Sequence, residues 1–167
     1  MFKENDYIFY GSGGICRVEA VCEEPFEGAP KGVRYYVLHT LAEPKQVIWN
    51  PVENDKVLMR PVLTAAEGEA LLSSLSSLAP LEGEGAKALR EQYITAIKSG
   101  VPESWARVLI TVRLRERAEV ARLTRVTDAE HGFFDAAKRS IAAELALAKG
   151  CATAEAEAAI LSCLPEI

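Results

Sequence analysis

Apolar positions in residues 1–63 come in short runs broken by glycine and proline. Tyr7-Ile8-Phe9-Tyr10 is one, Ile15 to Val21 another, and Val33 to Leu38 a third. Gln46-Val47-Ile48-Trp49 is stopped by Asn50-Pro51, and Val57-Leu58-Met59-Arg60 comes just before Pro61. Short runs rich in β-branched and aromatic residues predict strands. Glu23 to Gly32 holds two prolines and two glycines and reads as a loop or wide hairpin, while Glu43-Pro44-Lys45 is a turn signal. Four or five short strands punctuated this way predict a small barrel.

From Thr64 onward the period becomes helical. Thr64-Ala65-Ala66-Glu67 has the form of a capping box, in which threonine and glutamate each satisfy a free backbone N–H. The helix it opens runs through Leu71, Leu72, Leu75 and Leu78 and stops near Pro80. Leu81 to Gly85 is an acidic linker. A second helix from about Ala86 to Ser99 puts Leu89, Tyr93, Ile94 and Ile97 on one face, and Gly100 ends it. Pro102 opens a third, expected to reach about Arg125, with Val108, Leu109, Val112 and Val120 toward a core. Thr127-Asp128-Ala129-Glu130 is a second capping box, starting a helix toward Lys149 and Gly150, and a short last helix covers about Ala154 to Leu164. The expected class is α+β: a β module at 1–63 and an all-helical module of about five helices at 64–167.

The glycine cluster Tyr10-Gly11-Ser12-Gly13-Gly14 invites a phosphate-binding reading. That chemistry needs a helix N-terminus behind the glycines, or a lysine after them. Here a strand-like run follows and no lysine does, so the cluster predicts a turn between strands. Catalysis finds no support either. His39 lies in or just after a predicted strand and His131 in the first turn of a helix, neither paired with a nucleophile in a glycine-rich elbow. The carboxylates Glu23, Glu24, Glu82 and Glu84 read as solvated loop charge. No enzyme activity and no cofactor are expected.

Composition narrows the setting. With 49% hydrophobic and 26% charged residues the chain reads as globular, and no apolar stretch is long enough for a membrane span. The first residues lack the apolar core of a signal peptide, so a cytoplasmic location and reduced thiols are expected. Cys16 and Cys22, six apart in one predicted strand, are expected on one face. Cys151 and Cys163 lie near the other end, and no close ligand pair suggests zinc. The net charge of −5 argues against a surface made wholly for nucleic acid.

Two features carry potential contacts. Residues 107–125 hold six arginines against two glutamates. Arg113, Arg117 and Arg115 either line a phosphate-binding stripe or pair with Glu116, Glu119 and their neighbours. The β module also holds Phe26, Tyr35, Tyr36 and Trp49, most of them expected in the core, with one or two available as interface anchors.

The order of short motifs resembles the CarD/CdnL family, whose N-terminal domain is shared with transcription-repair coupling factors. The motifs are Phe2-Lys3 and Asp6 to Tyr10, Arg17 to Val21, Tyr35 to Leu38, Asn50 to Asn54 and Arg60 to Val62. Lys98-Ser99-Gly100, Val126 to Glu130 and Glu144 to Ala148 extend the resemblance into the helical module. It implies a Tudor-like barrel binding the β subunit of bacterial RNA polymerase, and a helical domain touching promoter DNA near the melted region. It also allows a monomer or a segment-exchanged dimer.

This chain departs from the family at telling places. Where many members insert a tryptophan into the minor groove, it has Gly85-Ala86-Lys87. Arginines that help some members hold the polymerase fall near Glu24 and Trp49. The resemblance therefore implies polymerase binding through Glu24, Phe26, Val47 and Trp49, with weak or absent DNA contact through Lys87, Arg90, Lys138 and Arg139. The alternative is an interaction module that keeps the fold, binds another protein and touches no DNA.

Overall fold

The structure, a computed structural model, describes residues 1–11 and 13–167; Ser12, one residue of the sequence's glycine cluster, lies outside the described residues. The chain divides into two compact units, Met1–Val62 and Leu63–Ile167. The first contains β1 (Tyr7–Tyr10), β2 (Gly14–Glu23), β3 (Arg34–Thr40), β4 (Val47–Pro51) and β5 (Met59–Pro61). The second contains α1 (Ala65–Ser74), extended by a 3₁₀ turn at Leu75–Ser77, then α2 (Ala86–Lys98), α3 (Pro102–Val120), α4 (Asp128–Lys149) and α5 (Thr153–Cys163).

All strand pairs are antiparallel, in the order β4-β3-β2-β1-β5. This order leaves β4 and β5 at the two edges. Side chains bridge those edges: Asn50 on β4 donates to the Met59 sulfur on β5 at 3.5 Å, and its Oδ1 accepts from Tyr10 on β1, also at 3.5 Å. The glycine cluster joins β1 to β2, pairing Tyr10 with Gly14. Gly14 takes φ +71, a conformation glycine adopts without the steric penalty of a Cβ.

The core of this unit is Ile8, Tyr10, Cys16, Val18, Tyr36 and Leu38, with Val21, Ile48 and Met59 against it. Burial pushes the Cys16 thiol up to about 11. The four cysteines are free thiols. The expectation that Cys16 and Cys22 share a face is wrong. Val18 pairs with Leu38 but Ala20 with Val37, so one extra residue, Glu19, is accommodated in β2. Such a bulge reverses the alternation beyond it. Val21 therefore returns to the core, and Cys22 joins Tyr35 on the opposite face.

In the helical unit both capping boxes form, Thr64 with Glu67 and Thr127 with Glu130. The core gathers Tyr93, Trp105, Leu109, Ile110, Ile141, Leu145 and Ile160. The Trp105 indole donates to the Ile97 carbonyl at 3.2 Å. α3 ends at Val120, short of the expected Arg125. Arg122 takes φ +60, its N–H bonds to Glu119 O, and Leu123 N–H bonds to Ala118 O, both at 2.8 Å. These are the two bonds of a Schellman stop. Glycine usually occupies the left-handed position, and arginine there hides the stop from a sequence reading. Val120, expected in the core, is 71% exposed because the helix has by then run past its packing partners.

Glu130 does more than cap α4. Its carboxylate accepts from Thr127 N–H at 2.9 Å and Tyr93 Oη at 3.0 Å, and pairs with Arg115. Burial alone would raise its pKa. The Thr127 backbone bond, the Arg115 guanidinium and the Tyr93 hydroxyl together outweigh burial and hold the carboxyl below its ordinary value of 4.5. Tyr93 moves the other way, driven up first by burial and then by Glu130. A depressed carboxylate contributes stability that is present above the ordinary value and lost as pH falls through the lowered one. Glu130→Gln is expected to cost about 1–3 kcal/mol at neutral pH, as for a buried network left partly unpaired. Urea unfolding in steps below pH 4.5 checks the sign, because the gap between wild type and variant must narrow there.

Candidate protein-protein interface

Beyond the bulge, the outer face of the sheet is apolar. Register places Ala20 beside Val37 and Val37 beside Trp49, with Cys22 beside Tyr35 and Tyr35 beside Pro51. Side chains directly across antiparallel strands share a face and touch. This surface therefore extends from β2 to the edge strand β4. The signal for it lies in Arg34-Tyr35-Tyr36-Val37-Leu38: both alternating sets are apolar, so both faces need a cover. Tyr35 was singled out from the sequence only as one of four aromatics and Cys22 only as a thiol; Ala20 and Val37 were not singled out.

Phe26 completes the surface from the β2–β3 loop. Glu24 takes φ +49, left-handed backbone that is uncommon for a side chain other than glycine, and turns the chain out of β2. Phe26 folds back so that its ring sits 5.5 Å from Tyr35, edge-on, and 5.4 Å from Trp49. Its carbonyl accepts from Ala29 N–H at 3.2 Å, which steadies the loop. Tyr35 is buried beneath, while Phe26 is 37% and Trp49 46% exposed. Of the residues expected to bind a partner, Phe26 and Trp49 thus lie in contact. Val47 starts the same edge strand, and Glu24 is exposed two residues before Phe26. The Glu19 carboxylate paired with His39 supplies a polar border.

An edge strand offers unpaired backbone donors and acceptors, and exposed aromatics beside it offer apolar area. The combination suits pairing with an extended segment of another protein. Among the described residues no group of three or more His, Cys, Asp or Glu side chains is placed to hold a metal ion.

The residues expected to meet DNA come from two helices. Lys87 and Arg90 are exposed on α2, where Arg90 borders a small groove with Leu89, Tyr93 and Phe133. Lys138 on α4 faces Asp135 at 3.6 Å and lies 5.8 Å from the Phe134 ring centre. Arg139 beside it is exposed. Of the two readings of the α3 arginines, a phosphate-binding stripe or pairing, Arg113 and Arg115 follow the second. Arg113 is an ion pair with Glu116 at 3.1 Å and donates to Pro165 O, Arg115 pairs with Glu130, and Arg107 donates to the Ala79 and Pro80 carbonyls. These guanidiniums close helix ends and turns. Trp105 is 2% exposed and has no route to a duplex. Among the described residues no helix is long and apolar enough to cross a membrane.

Residues 2–63 match the CarD-like/TRCF RID domain, and the N-terminal unit belongs to that family. The family is a non-enzymatic, transcription-associated domain that interacts with RNA polymerase. Residues 64–167 lie outside the match. No curated protein matches the chain.

The two tryptophans give a direct check of this geometry. Trp105→Ala is expected to cost about 3–5 kcal/mol, as for a large core side chain. Trp49→Ala should cost about 1 kcal/mol, little more than its aromatic contacts. Chemical unfolding of both variants measures the difference, and a Trp49 loss as large as the Trp105 loss would place Trp49 in the core.

Proposed function

We propose that this protein is a CarD-like transcription regulator that binds the β subunit of RNA polymerase through β4. The observation that carries this reading is the coincidence, within an RNA polymerase-interacting domain, of an edge strand and an exposed Phe26–Trp49 pair. A strand of the β subunit adds to β4 through backbone hydrogen bonds, and the aromatic pair supplies the apolar anchor. Val47 lies along the added strand, and Glu24 sets its polar margin. The protein acts in the cytoplasm, where the polymerase works.

The contact differs in character from one held by arginines. Charge on an interface rim chiefly raises association rate and salt sensitivity. Aromatic anchors act mainly by slowing dissociation, the usual route by which interface changes alter affinity. A polymerase contact centred on Phe26 and Trp49 is therefore comparatively tolerant of salt.

Immobilised β-subunit fragment and the full chain provide the test. Trp49→Ala should weaken binding by about 2 kcal/mol, roughly 30-fold, as for a central interface aromatic. Equal binding by the variant would move the interface elsewhere. Failure of the wild type to bind would favour another protein partner for the same edge.

DNA contact by the helical unit is weak and nonspecific. From Thr64 to Ile167 there are 12 Lys and Arg against 15 Asp and Glu. Lys87, Arg90, Lys138 and Arg139 offer phosphate contacts with little base readout. The expected dissociation constant is on the order of 10⁻⁴ M at physiological salt, the weak end of nonspecific binding. Fluorescence titration of a duplex with a bubble edge, at low and physiological salt, measures it. Tight, salt-tolerant preference for the bubble edge would contradict it.

A further inference from the structure

The two ends of α3 carry opposite surfaces. At its C-terminal end, Val120 is 71% and Leu123 81% exposed, and Arg117, Arg122 and Arg125 are exposed around them. Among these residues the one nearby carboxylate, Glu119, is turned back to accept Val126 N–H at 3.0 Å. The corner is also stiff. The two backbone bonds of the Schellman stop hold Arg122 and Leu123, and Arg115 donates to the Arg125 carbonyl at 3.0 Å. A basic, apolar knob is thus carried on a hydrogen-bonded backbone, which lowers the ordering cost of binding.

At the other end, α1 and the start of α3 form an open groove. Leu71, Leu78, Val101 and Pro102 line it, with Glu67 and Glu103 at its margin. Val101 is 43% exposed, and both glutamates are exposed. Knob and groove are both apolar and opposite in charge. α3 has 19 residues, so its ends lie about 27 Å apart along one rigid helix, and the knob cannot reach its own groove.

We propose that the α3 corner of one copy, Val120 and Leu123 flanked by arginines, docks into the α1–α3 groove of a second copy of this chain. The contact joins different patches, so it is heterologous and does not close at a dimer by symmetry. Exposed apolar side chains at a helix end are ordinary when scattered singly. Here two adjoin three guanidiniums, and the same unit carries the complementary surface. A polyanion is a poorer occupant, because the helical unit has a net acidic charge and two of the corner's exposed groups are large apolar side chains.

Sedimentation velocity of the full chain across a concentration series tests this. Weight-average mass should rise with concentration, pass that of a dimer without a plateau, and fall with added salt. Leu123→Ser should keep the protein monomeric with an unchanged circular dichroism spectrum. A charge exchange guards against a merely structural effect. Arg117→Glu/Arg125→Glu in one chain and Glu67→Lys/Glu103→Lys in another should each abolish assembly alone, and mixing the two chains should restore it. If the second pair frays α1, Glu103→Lys alone serves, because Glu67 belongs to the capping box. A wild type monomeric throughout, a closed dimer indifferent to Leu123→Ser, or a mixture that stays monomeric would overturn the proposal. So would a protein that stays monomeric yet binds a labelled DNA duplex through this corner, a result that assigns the knob to nucleic acid.

Discussion

One extra residue in β2 sets the two faces of the N-terminal sheet. Before Glu19 the core side is marked by Cys16 and Val18; after it, by Val21. Without the bulge, strict alternation would turn Ala20 and Cys22 inward and Val21 outward. The same insertion increases local twist. It also leaves Glu19 free to pair with His39, closing one side of the outer surface with charge. The apolar rows from Ala20 to Trp49 and from Cys22 to Pro51 follow from this local departure from regular pairing.

The helical unit depends on a different economy, that of its charges. Six arginines in residues 107–125 look like a stripe in sequence, but in space three of them answer helix ends and turns. Arg115 joins α3 to the start of α4 through Glu130, and Tyr93 brings α2 to the same carboxylate. A buried carboxylate is tolerated when each oxygen is bonded. This inward use of charge accounts for the absence of a basic helix face in a unit that is rich in arginine. It also leaves Arg117, Arg122 and Arg125 at the corner as the outward-facing members of the run.

Much of the fold was legible because the sequence marks element ends with local chemistry. Thr64 and Glu67, Thr127 and Glu130, and Gly150 at φ +64 each state a helix boundary in residues that act within one turn. The strands, four or five by the sequence and five in the structure, were visible as β-branched and aromatic runs between turn residues. The bulge was not, because no glycine or proline accompanies Glu19. The end of α3 was not, because arginine occupies its left-handed position. The candidate interface was legible in part. Phe26 and Trp49 stood out as aromatics, but their contact depends on the path of the β2–β3 loop and on register across three strands. No spacing within a single run contains that information.

The exposure of Trp49 then calls for a physical account. An edge strand with a large apolar side chain is a liability, and native sheets commonly protect such edges with lysine, proline or a covering segment. β4 ends in Pro51, and the loop bearing Phe26 covers part of Trp49. Both devices stop short of complete protection, since Trp49 remains 46% exposed. Burying Tyr35 did not require an aromatic at position 49, because Phe26 already packs on it edge-on. The extra apolar area at the edge therefore adds little to folding and much to a surface that another strand can cover. That asymmetry supports the proposed use of Trp49 as a binding anchor.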